Sequence, residues 1–416
     1  MAKILIHTLG SSGDFNPFVA LALELRRRGH VIHFVLTPSF AAQTRELGFT
    51  ATDAGLEPDY ASDLMKRLLA PARNGINLVD ILFREVLIPA IRPATEILAP
   101  LAAESDLFIS HTIQLAARVV AQQTGVPWVS ASPAALIYPT GSYPPPGVAW
   151  KGCPAVAGQI GWEVGRRVFR HLDAPANAEY ASLGLPPISN VVLGGAYSRR
   201  LTLGLWSPSF FSRPSDWPDW FQIGGYGRWD APPAGAPAPI PVPDGSGPLI
   251  VFTLGSSVVS DPRGFYEMAL RALAGTDWRA LLVGAPLDLP VPADLAGRAA
   301  IVPYAPYGDV FPLADAVVHS GGVGTTQACC FYGKPAILVP RGADQFENAA
   351  HIQREGWGLR LKPERLTATL IRLRLERLLR DTRITKRVQN LGEMMRAEPG
   401  PARSADLLEA VLAARD

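Results

Sequence analysis

Short runs of mostly apolar residues, each followed by a segment of helical period, recur along this chain and limit what it can fold into. In the first part they are Ile4 to Leu9, Val31 to Leu36, Asp106 to Ser110 and Val126 to Ser130. In the second part they are Leu249 to Thr253, Arg279 to Val283, Ala299 to Val302, Ala316 to Val318 and Ala336 to Val339. Runs this short and this continuous suit strands buried on both faces. Between them, apolar residues fall at helical spacing, as in Phe18, Leu21, Ala22 and Leu25, or from Ile113 to Gln123 and Phe265 to Leu273. Asn16 is expected to cap the first helix, with Pro17 in its first turn and Gly29 ending it. Strands alternating with helices predict an α/β fold with parallel, doubly wound sheets, one Rossmann-like domain in each part.

With 416 residues the chain is long enough for two or three domains. The stretch Ala231 to Pro248 is dense in Pro, Ala and Gly and is expected to be a semi-rigid linker. The predicted organisation is therefore an N-terminal domain over 1–230, a linker over 231–248, a second domain over 249–395 and a closing helical segment over 396–416. Between 135 and 230 the periodicity blurs, and Trp150, Trp162, Trp206, Trp217 and Trp220 gather there. Most of these aromatics are expected to form core. Ile137 to Val148, with Tyr143-Pro144-Pro145-Pro146-Gly147, is expected to be a loop and a candidate lid over an apolar acceptor.

Charge and cysteine content exclude several classes. A net charge of +2 gives no long-range pull toward nucleic acid, and none is expected as a partner. The basic clusters Arg26-Arg27-Arg28, Arg166-Arg167 and Arg199-Arg200 are short and are expected to be solvated or helix-capping. Cys153, Cys329 and Cys330 lack metal or disulfide spacing, and the adjacent pair is expected to be buried on a helix. The apolar start is too short for a signal peptide, and no run is long enough to span a bilayer. A cytoplasmic location is expected, with peripheral membrane contact left open.

The chemistry concentrates in Val318-His319-Ser320-Gly321-Gly322-Val323-Gly324-Thr325-Thr326, which leaves a predicted strand and opens a predicted helix. Glycines there let the backbone approach a ligand, and the helix N-terminus carries partial positive charge. His319 and the threonine hydroxyls add donors, so the segment suits a diphosphate; a packing turn between helix and sheet is the alternative. The next strand runs into Val339-Pro340-Arg341-Gly342-Ala343-Asp344-Gln345-Phe346-Glu347-Asn348-Ala349. Ligands of doubly wound sheets sit beyond the carboxyl ends of strands, which places Asp344 and Gln345 at the same crevice. A carboxylate beside an amide suits vicinal sugar hydroxyls, while Asp344 as a helix N-cap needs no ligand.

The run from His319 through Asn348 resembles the nucleotide-sugar signature of the UDP-glycosyltransferase family, and the likeness extends over nearly the whole chain. Leu249 to Leu273 and Tyr304-Ala305-Pro306 resemble the bacterial rhamnosyltransferase chain of rhamnolipid synthesis. Relatives acting on sterols, macrolides and glycopeptides are also similar. The resemblance implies two facing Rossmann-like domains, the GT-B architecture, with the donor in the second. It implies that His319, Gly321, Gly322, Gly324 and Thr325 hold the diphosphate and that Asp344 and Gln345 hold the sugar. Tyr304 and Ala305 would lie against the base, and the Gly255-Ser256 loop would approach the phosphates. The closing helix would cross back to the first domain.

The N-terminal turn Gly10-Ser11-Ser12-Gly13-Asp14 is not a dinucleotide fingerprint, and no acid follows the second strand to hold a ribose. Many family members carry a catalytic His where this chain has Asp14, and a subset has Asp. The resemblance therefore implies Asp14 as the base that deprotonates the acceptor, with Gly13 counted among the donor-binding residues; a charge that stabilises the helix dipole is the alternative. His111 is the candidate partner that orients Asp14, or else a hydrogen-bonded loop residue. His7 and His33 are expected to be structural. The implied reaction is direct displacement with inversion from a UDP- or dTDP-sugar to a hydroxyl of an apolar acceptor such as a lipid, sterol or polyketide. No prosthetic group and no metal are expected, the nucleotide sugar being a co-substrate. A sugar-nucleotide epimerase and a non-catalytic auxiliary subunit are the competing readings.

Overall fold

The computed structural model describes residues 1–54, 64, 67, 75–135, 138–143, 155–230, 240–256, 262–342 and 344–414. They form two compact units. One contains the described residues up to Trp229 together with 399–414, and the other runs from Asp230 to Glu398.

The first unit is built on a seven-stranded sheet. Its strands are β1 (Lys3–His7), β2 (Val31–Leu36), β3 (Thr50–Asp53), β4 (Leu107–His111), β5 (Trp128–Ser132), β6 (Thr202–Gly204) and β7 (Phe221–Ile223). They lie in the order β3-β2-β1-β4-β5-β6-β7, and every pair is parallel. Ile4, Leu5 and Ile6 of β1 and Leu107, Phe108 and Ile109 of β4 are all at most 1% exposed. Such strands, covered on both faces, are what the unbroken apolar runs specify.

The second unit holds a six-stranded sheet of β8 (Leu249–Thr253), β9 (Arg279–Val283), β10 (Ala299–Val302), β11 (Ala316–His319), β12 (Ala336–Leu338) and β13 (Gly358–Arg360). The order is β10-β9-β8-β11-β12-β13, again wholly parallel. In both units the winding reverses beside the first strand, between β1 and β4 and between β8 and β11. A reversal of that kind parts the loops above the strand ends and opens a crevice there.

Three local expectations are corrected. The first helix runs Ser12–Arg27 and is capped by Ser11, whose side chain accepts the Gly13 N–H while Asp14 reaches back to the Ser11 N–H. This reciprocal capping box satisfies two orphan donors at once and overrides the Asn16-Pro17 signal, leaving Pro17 inside the helix. Arg28 is not a solvated charge. Its guanidinium binds Glu24, Asp406 and Glu409 and donates to the Ala402 carbonyl, clamping the helix Pro401–Ala413 onto Ser12–Arg27. Ala405 and Leu408 of that helix enter the core of the first unit. Finally, β4 and β5 are displaced toward the C-terminus of their predicted runs, so His111 is the last residue of a strand.

Trp206, Phe210, Phe211, Trp217 and Phe221 are buried, as expected for most of the aromatic zone. Cys329 and Cys330 are buried on the helix Val323–Phe331. Trp150, Cys153, residues 231–239 of the linker, and 137 and 144–148 of the 137–148 loop lie outside the described residues. Of that loop, Thr140 and Gly141 are tied by Oγ1 and N to the Asp216 carboxylate, each at 2.6 Å. Among the described residues no single helix is long and apolar enough to cross a membrane.

Candidate active site

The predicted residues fall into two groups, one at the switch point of each sheet. In the first unit, β1 ends at His7 and β4 at His111, and Asp14 lies in the first turn of the helix that follows β1. The two oxygens of Asp14 have different duties. Oδ2 accepts the Ser11 N–H at 2.9 Å and the Ser11 hydroxyl at 3.3 Å. Oδ1 faces His111 Nε2 at 3.4 Å, and the Asp14 side chain stays 31% exposed. Gly10, at φ +113°, makes room for this: a Cβ there would stand 2.3 Å from Asp14 Oδ2. Gly13 is spent on the cap, donating its N–H to Ser11 Oγ at 3.3 Å.

The His111 ring is held in one tautomer. Its Nδ1 accepts the Ile113 N–H at 3.2 Å, so neutral His111 carries its proton on Nε2, toward Asp14. That contact is within ion-pair distance but too poorly aligned for a hydrogen bond, and Nε2 is otherwise buried without a partner. Beside it, His7 donates Nδ1–H to the Val35 carbonyl at 2.7 Å and accepts from the Gln114 amide at Nε2 at 2.6 Å. Burial, opposed by the Val35 carbonyl and assisted by His111, holds the His7 pKa down to about 4. Gln114 also caps the next helix by accepting the Ala116 N–H. His7 is thus a neutral brace joining β1, β2 and the loop after His111. His33 bonds Thr52 across β2 and β3.

In the second unit, the register pairs His319 with Thr253, bringing the loops after β8 and β11 together. Ser320 Oγ donates to the Leu254 carbonyl at 2.8 Å and ties them. His319 is fully buried, and burial alone lowers its pKa to about 3. Its Nδ1 accepts the Gly321 N–H at 3.0 Å, which leaves the proton on Nε2, and Nε2 has no partner. A neutral, oriented, unpaired donor therefore stands at the foot of the helix Val323–Phe331. The N-cap of that helix is Gly322, which makes no side-chain cap; its φ of −56° suits any residue, and a Cβ there would meet no protein atom within 4 Å. Neither packing nor backbone conformation requires glycine at this position, whereas close approach of an outside molecule would.

Thr325 shares a hydrogen bond with the Tyr307 hydroxyl at 3.0 Å, and Gly255 comes close to Thr325 Oγ1. Gly255 and Ser256 are exposed. After β10, Ala305 is buried and Tyr304 half-buried; the Tyr304 hydroxyl donates to the Asp230 carbonyl at 3.0 Å, and burial followed by the Asp230 charge pushes its pKa up to about 12. After β12, Asp344 Oδ2 accepts the Val323 N–H at 3.2 Å and the Asn348 amide at 2.8 Å. Gln345 spends Oε1 on the N–H groups of Arg341 and Gly342, which leaves its NH2 to offer to a ligand. Asn348 and Tyr307 are structural members of the site that the sequence reading did not single out. Asn348 carried a signal, standing four residues from Asp344 on one helix face; Tyr307 carried none.

A chain with this fold and site has known counterparts. The family described as erythromycin biosynthesis protein CIII-like, C-terminal domain, matches residues 288–411. The chain is 29% identical over 435 residues to O-mycaminosyltylonolide 6-deoxyallosyltransferase of Streptomyces fradiae, covering 98% of this chain and 97% of that protein. The crystal structure of the glycotransferase of kitacinnamycin superposes with a TM-score of 0.75 at 22% identity over 99% of both chains. The chain is similar along nearly its whole length to members of the UDP-glycosyltransferase family. Its two parallel sheets are those of the GT-B glycosyltransferases, and like the glycosyltransferases it matches it transfers sugar from a nucleotide sugar. Glycosyltransferase VinC, solved in complex with dTDP, is 19% identical, with a TM-score of 0.69 over 99% of both chains.

Proposed function

We propose that this glycosyltransferase moves a hexose or deoxyhexose from a UDP- or dTDP-sugar to a hydroxyl of an apolar small molecule or lipid, with inversion and without a metal. The observation that carries the reading is the buried, unpaired His319 Nε2–H beside a helix N-terminus whose capping glycine faces open space. Such donors are worth most where a leaving group gains charge. Here that charge develops on the nucleoside diphosphate as the anomeric bond breaks.

Donor binding falls to the second unit: His319, the amides and glycines of 321–324 and Thr325 take the diphosphate, while Asp344 Oδ1 and the Gln345 NH2 take the sugar. Proton removal falls to the first. Asp14 Oδ1 accepts the acceptor proton, and His111, fixed as an Nε2–H donor, steadies the carboxylate. His111 is not itself the base, because its one unprotonated nitrogen is occupied by the Ile113 N–H. Support for an apolar acceptor comes from the acceptors named for relatives, O-mycaminosyltylonolide and sterols among them.

The test is incubation with several UDP- and dTDP-sugars, with EDTA present, with and without a mixed pool of apolar hydroxyl compounds. Transfer with inverted anomeric configuration, and slow donor hydrolysis when acceptor is withheld, is the expected result. Isomerised donor sugar would identify an epimerase, and failure to bind any sugar nucleotide would overturn the reading.

A further inference from the structure

Asp344 occupies ground that an anion would use. Its Oδ2 accepts the N–H of Val323, the first amide of the helix Val323–Phe331, which Gly322 has no side chain to cap. Asp344 gives no side-chain cap to its own helix, Gln345–Glu355. One turn further on, Asn348 fixes it there: Nδ2 donates to Asp344 Oδ2 at 2.8 Å and to the Gly321 carbonyl at 2.9 Å. A carboxylate is thereby held at the tip of the helix that the proposed function gives to the diphosphate. Two anions at one helix tip repel, and they do so more strongly where water is partly excluded.

The charge of the diphosphate changes during the reaction. In a sugar-linked donor the terminal phosphate is a diester with one charge. When the anomeric C–O bond breaks, its electron pair stays on the phosphate oxygen, and the released nucleoside diphosphate carries one charge more at neutral pH. Before transfer, Asp344 has compensation for the repulsion, because Oδ1 can accept a hydroxyl of the bound sugar. After transfer the sugar has left with the acceptor, and that hydrogen bond is lost while the repulsion grows. We propose that Asp344 makes the site favour sugar-linked over sugar-free nucleoside diphosphates and so helps to expel the product. This rests on the assignment of the second unit to the donor.

The test measures dissociation constants for UDP, dTDP, UDP-glucose and dTDP-glucose by calorimetry on the full chain and on Asp344→Asn and Asp344→Ala, with melting curves to show that each is folded. In both variants the nucleoside diphosphate should bind about tenfold tighter, and the sugar nucleotide no tighter or more weakly. Inhibition by added nucleoside diphosphate should strengthen in parallel in Asp344→Asn, which keeps an oxygen on the Val323 N–H. If folded variants bind UDP and dTDP no tighter than the wild type does, the proposal is overturned while the donor site stands. If the wild type binds neither class of nucleotide, the donor assignment fails and the proposal falls with it.

Discussion

Asp14 turns one carboxylate oxygen inward to the Ser11 N–H at 2.9 Å and the other toward His111 Nε2 at 3.4 Å. The helix cap thus fixes the side chain, and the second oxygen is left for the proposed proton transfer. Replacing Asp14 with Asn keeps the shape and an oxygen for the cap but removes the proposed base. Turnover should fall by about 10²–10⁴-fold, with donor affinity nearly unchanged; single-turnover kinetics beside donor titration separates the two. Full activity in the Asp14→Asn enzyme would remove Asp14 from the mechanism. His111→Gln, which retains an N–H donor, should keep more activity than His111→Ala.

Gly322 offers a test in which folding and binding part company. A methyl group there meets no protein atom, and φ is −56°. Gly322→Ala should cost no more than about 1 kcal/mol of stability, while weakening sugar-nucleotide binding severalfold or more. Thermal melting and donor calorimetry on the same preparation check both. Unaltered donor affinity would move the diphosphate elsewhere.

Two buried histidines give stability a defined pH dependence. The folded-state pKa values of His7 and His319, about 4 and about 3, lie below the 6.5 that both regain on unfolding. Below pH 6.5 the unfolded chain therefore binds protons that the folded chain refuses. Their contribution is full above pH 6.5 and is lost as pH falls toward 4 for His7 and toward 3 for His319. Each adds a slope of up to about 1.4 kcal/mol per pH unit. Unfolding at pH 5 should take up about two protons from this pair. His319→Asn should remove one of them and flatten the fall of the denaturation midpoint between pH 7 and 5.

Arg28 joins two helices through four acceptors, and its side chain is 18% exposed. Arg28→Ala should destabilise the first unit by about 2 kcal/mol. It should also speed amide exchange in Pro401–Ala413 relative to β1, as read by mass spectrometry. Arg28→Lys keeps the charge but loses the planar fork, and should recover only part of the loss.

The sequence was most legible where one physical requirement spoke alone. β1, β4, β8 and β11 are buried on both faces, so apolar runs located them, and the rule of strand-end crevices brought Asp344 and Gln345 to the glycine turn after His319. The three-residue strands β6, β7 and β13 are too short for any periodicity to register. The start of the first helix was misplaced because two cap signals competed five residues apart, Ser11-x-x-Asp14 and Asn16-Pro17. The bond from Asp344 to Val323 spans 21 residues between two loops and leaves no pattern in the chain. Nor does any spacing announce that Gln345 would give its carbonyl to the loop before it, or that the Tyr304 hydroxyl would be taken by the Asp230 backbone.

The clamp at Arg28 also has a bearing on how the protein is made. Arg28 and Asp406 are 378 residues apart in the chain. At ordinary elongation speeds a ribosome needs roughly 20–75 s to cover that distance. Throughout that interval the nascent first unit lacks the helix that covers one side of its core. It must wait, apolar surface uncovered, while the whole second unit emerges. Chaperone demand during synthesis should accordingly centre on the surface that Ala405 and Leu408 finally close.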